Sequence, residues 1–240
     1  MGLAFGFVLY MHGYENGGNL AVFSFVGLLT TVSAWFRDII REATFEGKHT
    51  SFVRRGLRIG FSLFIFTEIM FFVGFFWVFL ANALTPSVAA GSVWPPSGIE
   101  TIKFWGIPFL NTVLLLSSGV SVTWSHYSLL VGHRTDVTKG LWLTIFLASL
   151  FTALQIVEYI EAPFEISDGI YSSVFYMLTG SHGLHVFIGT VFLFVCLVRH
   201  IKHHFTKKYH VGFECAIWYW HFVDVVWLFL FALVYWWGGA

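Results

Sequence analysis

The 240 residues are 57% hydrophobic and 11% charged, with 29 Phe and 11 Trp. Mean hydropathy is +0.76, which excludes an ordinary water-soluble domain and points to a membrane protein. The formal net charge is zero, and no nucleic-acid partner is expected.

In chain order, the sequence predicts seven apolar segments. It opens directly on MGLAFGFVLYM, with no visible cleavable presequence. Residues 2–11 are only ten, too short to cross a bilayer alone, and read as a truncated first helix. A glycine-rich turn, 12–18, precedes the second segment, 20–40, which continues as a polar helical end to residue 44. The loop 47–56 leads into the third, 59–84, whose only charge is Glu68. At ~1.5 Å per residue that segment reaches ~39 Å, enough to cross a ~30 Å hydrocarbon core with tilt. The connection 86–108, with Pro95 and Pro96, is not a span. The fourth segment, 108–130, starts on a proline, where a helix tolerates one. A turn, 133–139, leads to the fifth, 140–160. In the acidic loop 161–169, Ser167 and Asp168 are candidate caps for the sixth helix, 170–198, which projects outward as RHIKHH. The seventh runs 213–237. The fold class is therefore all-α and polytopic, one membrane domain over 1–240. Cys196 and Cys215 form no CxxC motif and read as small buried hydrophobes.

Numbering the loops alternately places twelve of the thirteen Lys and Arg on one side and Lys103 alone on the other. By the positive-inside rule the N-terminus faces the inner compartment and the C-terminus faces outward.

Glu68 lies about 14 Å inside its span, near mid-membrane. One turn away its own helix offers Phe64, Ile65, Phe71 and Phe72, none able to pair a carboxylate. Another helix supplies a partner, or the group is protonated, or it does a job. His185, at similar depth on the sixth helix, is a candidate partner. His182 and His185 share a face at i, i+3. With no thiolate set, no metal site is expected, and the intramembrane histidines read as interhelical hydrogen-bonding groups. His221 and Asp224, also i, i+3 near mid-membrane, read as ties to a neighbouring helix in preference to a proton relay. Glu158 and Glu161 lie nearer the outer interface, to face water or a partner subunit.

At the inner ends, Arg199, Lys202 and His203 are expected on one face of an extended helix. Arg37 and Arg41 are i, i+4, with Trp35 one turn inside. Such clusters bind anionic headgroups, against the plainer reading of snorkelling. Glu42 and His49 are placed to complement a headgroup.

Several stretches carry a resemblance: WFRDIIREATFEGKHT (35–50), EIMFFVGFFWVF (68–79), WPPSGI (94–99), PFLNTVLLLSSGVSVTWSHYSL (108–129), EYIEAPFEISDGIYSSVFYMLTGSHGLHVFIGT (158–190) and HVGFECAIWYWHFVDVVWLFLFALVYWWG (210–238). Together they resemble subunit III of cytochrome c oxidase, of the mitochondrial type; residues 1–34 resemble it weakly.

The resemblance implies seven helices, a pair (about 1–45) set apart from a five-helix bundle (about 55–240) by a cleft holding phospholipids. The lipids would be of cardiolipin, phosphatidylglycerol or phosphatidylethanolamine type. It implies a non-catalytic chain supporting proton uptake beside subunit I, with subunit II and accessory subunits, and haem a and copper in those partners. Glu68 matches the family's buried carbodiimide-reactive glutamate. Trp35, Arg41, Glu42, His49, Glu68, His185, Arg199 and His204 match its lipid contacts; Lys202 joins them on the charge reading. The location implied is the mitochondrial inner membrane, N-terminus in the matrix and C-terminus in the intermembrane space. A bacterial oxidase subunit, quinol oxidases included, is the close alternative. A retinal pump lacks its mid-membrane lysine in the seventh segment, and a transporter lacks repeat symmetry. A proton channel built on Glu68 and Asp224 is the remaining rival.

Overall fold

A computed structural model describes residues 1–88 and 91–239. The described residues form seven α-helices: α1 Gly2–Met11, α2 Gly17–Thr44, α3 Ser51–Leu84, α4 Ile107–Val131, α5 Arg134–Glu161, α6 Ile170–Ile201 and α7 Val211–Leu230, the last continuing as a π-helical stretch, Phe231–Trp237. Six are long and apolar enough to cross a membrane; α1, with ten residues, is not.

Two compact units divide the chain, residues 1–55 and 56–240. In the first, α1 packs antiparallel on α2. Asn16 (φ 66°) and Gly13 (φ 74°) supply the left-handed turn between them. A Cβ added at Gly6 would lie 2.5 Å from the Ala21 backbone nitrogen, so the close approach requires glycine. The rest of α2 exposes Phe23, Leu29 and Phe36, a surface suited to lipid tails.

In the second unit, α4 and α5 pack through small and hydroxyl residues. Ser121 and Thr144 share a hydrogen bond of 2.7 Å, and Ser125 donates to the Val137 carbonyl. A Cβ on Gly140 would meet Ser125 Cβ at 2.8 Å. With lipid outside, apolar side chains cannot drive helices together; small residues that admit close backbones, and interhelical hydrogen bonds, do so. The α7 tryptophans follow the same rule: Trp220 and Trp227 are buried and donate to Ser118 and Thr112 of α4, each at 2.9 Å. Gly189 of α6 admits the Trp220 ring, which an added Cβ would meet at 2.9 Å. From α3, Phe72 and Phe79 enter this core.

The structure shifts several expected boundaries. Residues 51–56 are the first turns of α3, and 134–139 the first turns of α5, where loops were expected. Gly169 is the N-cap of α6, and no side chain caps it. Asp168 instead accepts from the Glu165 N–H at 2.6 Å, closing the loop on itself. Helix α6 ends at Ile201, so Lys202 and His203 are not on a helix face; His203 turns left-handed at φ 60°. Gly132 (φ 103°) ends α4 with its N–H on the Ser128 carbonyl, so a two-residue turn reaches α5. Within the connection 86–108, residues 89 and 90 lie outside the described residues, as does residue 240.

Candidate functional site

Glu68 meets the partner its own helix lacks. Its Oε2 lies 2.8 Å from Nε2 of His185 on α6, and both side chains are largely buried. The other ring nitrogen of His185, Nδ1, is 2.7 Å from the Ser181 carbonyl. A carbonyl only accepts, so Nδ1 carries a proton. One further proton must then lie between Nε2 and Oε2, on the carboxyl or on the ring. Either way the pair is neutral overall, which makes it tolerable at mid-membrane. Phe71 and Phe72 of α3 and Tyr219 and Phe222 of α7 surround the imidazole.

His182 is buried, and its Nε2 donates to the Val223 carbonyl at 3.2 Å, tying α6 to α7. His221 Nε2 is 3.1 Å from Thr123 of α4, and its Nδ1 is 3.5 Å from Asp224. Asp224 lies against Gly119 of α4, where a Cβ would meet its Oδ2 at 2.5 Å. Among the described residues, no three His, Cys, Asp or Glu side chains converge as metal ligands would. Cys196 and Cys215 are free and buried.

Glu158 differs from expectation. It faces neither water nor an open surface: it is 3% exposed and accepts from Tyr235 at 2.6 Å and Gln155 at 3.0 Å. Glu161, at the end of α5, is exposed.

The expected lipid residues fall in both units. In the first, Trp35 is exposed and stacks on Phe36. Arg41 pairs with Glu46 at 3.2 Å, and Lys48 with the same carboxylate at 2.6 Å. Hydrogen bonding from Lys48, then its charge, holds the Glu46 carboxyl below its ordinary value. Glu46 is thus the acid that pairs both cations at this end; Glu42 is exposed and His49 half-buried. In the second unit, Arg199 lies over the Phe205 ring, 4.4 Å from its centroid, and its buried Nε has no hydrogen-bond partner. Lys202 is exposed. His204 is held below its ordinary value by burial, then by the Arg199 and Lys202 charges.

One tie escaped the sequence reading. Arg58 of α3 grips Glu214 of α7 with two hydrogen bonds, 2.6 and 2.9 Å, and His210 approaches the same carboxylate at 3.3 Å. The available signal was a lone acid at the start of one apolar helix, at the depth of an arginine on another.

A family model for cytochrome c oxidase subunit III matches residues 1–239. Cytochrome c oxidase subunit 3 of Prototheca wickerhamii is 54% identical over 235 residues, covering 98% of this chain and 90% of that protein. The Marchantia polymorpha protein of that name is 55% identical over 234 residues, covering 98% and 88%. That of Petromyzon marinus is 52% identical over 231 residues, covering 96% and 88%.

Proposed function

The chain belongs to the cytochrome c oxidase subunit III family and is a component of that oxidase complex, and from this premise we propose that it is a non-catalytic core subunit that holds phospholipids and steadies subunit I. Subunits I and II, with haem a and copper, would carry electrons from cytochrome c to oxygen and pump protons. This chain would support proton uptake into subunit I. The relatives named above are eukaryotic, which favours the mitochondrial inner membrane. The charge asymmetry favours an N-terminus in the matrix.

The observation that carries the lipid reading is Arg199. It is a cation with a buried, unpartnered Nε, beside Lys202 and His204 at the end of a spanning helix. Such a group calls for an anion at headgroup depth. Glu68 and His185 contribute differently: as a neutral pair beneath the headgroups, they admit acyl chains without a buried net charge.

Native mass spectrometry of the complex tests this reading. Arg199→Ala should retain less anionic phospholipid than wild type while keeping its subunits. An unchanged lipid complement would refute the assignment.

A further inference from the structure

Glu158 lies one turn before the end of α5, and no cation reaches it. The other acids buried in the spans have basic partners: Glu68 pairs with His185, Glu214 with Arg58 and Asp224 with His221. Among the described residues, no Lys, Arg or His forms an ion pair with Glu158. Its neighbours are neutral and come from three elements: Asn111 of α4, Gln155 of α5 and Tyr235 of the π-helical end of α7. All four side chains are buried, none more than 7% exposed. Phe175 and Trp227 stand against the Tyr235 ring, with centroids at 5.3 and 5.7 Å. The nearby phenols are engaged elsewhere: Tyr159 shares a hydrogen bond with Thr179 at 2.6 Å, and Tyr176 donates to the Phe164 carbonyl at 2.8 Å.

Donors fall short of acceptors in this cluster. Tyr235 O–H and Gln155 Nε2 both donate to Glu158 Oε1, at 2.6 and 3.0 Å. Asn111 Nδ2 donates to Gln155 Oε1 at 3.4 Å. Two oxygens remain, Oε2 of Glu158 and Oδ1 of Asn111, both buried and both without a partner. A carboxylate and an amide oxygen only accept. As an anion, Glu158 would therefore share its charge with an oxygen that no donor serves, and an uncompensated buried charge is costly. Turning the amides over does not mend this. A reversed Gln155 sets its oxygen 3.0 Å from Glu158 Oε1, and a reversed Asn111 sets its oxygen 3.4 Å from Gln155 Oε1. Each reversal moves the missing donor without supplying one.

We propose that Glu158 holds a proton on Oε2 as a neutral carboxylic acid, a proton-binding site separate from the Glu68–His185 pair. The added O–H turns one surplus acceptor into a donor, and Asn111 Oδ1 is the acceptor left for it. The acid accepts through Oε1 and donates through Oε2. It thereby ties α4, α5 and the end of α7 with no net charge in the span. The site does not depend on the lipid reading given above.

The test is infrared difference spectroscopy of the intact oxidase complex against its Glu158→Gln variant in neutral buffer. An amide, like the acid, offers both a donor and an acceptor, so the variant should assemble. The expected difference is the loss of one protonated-carboxyl C=O band that shifts in heavy water. Loss of carboxylate bands instead, with every protonated-carboxyl band retained, overturns the site. Should Glu158→Gln fail to assemble, Tyr235→Phe removes only the O–H that donates to Oε1. The protonated-carboxyl band then moves to higher frequency; a spectrum with no such band moved overturns the site equally.

Discussion

Glu68 owes its place at mid-membrane to one imidazole 2.8 Å away. That dependence separates two substitutions. Glu68→Gln keeps a hydrogen-bonding group opposite His185 Nε2, so the complex should assemble with only modest change in proton uptake or bound lipid. Glu68→Leu strands Nε2 beside apolar side chains and should cost about 1–3 kcal/mol, seen as a lower melting temperature of the complex. Equal stability of the two variants would show that the hydrogen bond contributes nothing. The pairing was legible in the sequence because Glu68 stands alone in a long apolar run, where an unsatisfied carboxyl is costly, and His185 lies at similar depth on another span. Arg58 and Glu214 were not linked, because near a helix end water or a headgroup can satisfy each without the other.

Helices α4 and α5 illustrate how packing replaces hydrophobic driving force. They approach closely at Gly140 against Ser125, with Ser121 and Thr144 hydrogen-bonded beside it. Gly140→Leu should force the pair apart, lowering thermal stability by about 1–3 kcal/mol or preventing incorporation into the complex. Normal assembly with an unchanged melting temperature would contradict this. The spans themselves were legible from apolar length alone. Their ends were not, because Arg134–Lys139 and Ser51–Gly56 are polar segments that stay helical once a spanning helix has nucleated them. The α6 terminus failed in the opposite sense: the basic run RHIKHH suits a helix by composition, yet His203 adopts a left-handed conformation and ends it.

Across the whole molecule, the polar groups within the spans are mostly committed to other groups of the chain. Trp220, Trp227, His182, Glu158 and the Glu68–His185 pair all have partners within it. This distribution suits a chain whose spanning helices are held to one another by polar ties. Family membership was legible from dense local motifs, whereas the geometry of the Glu158 cluster required coordinates, since its parts come from separate helices. The most direct measurement is purification through a tag on this chain in mild detergent with added phospholipid, read by optical spectrum and by subunit mass. The account predicts an a-type haem signal with subunits I and II in the same preparation. A colourless, solitary chain under those conditions would contradict it.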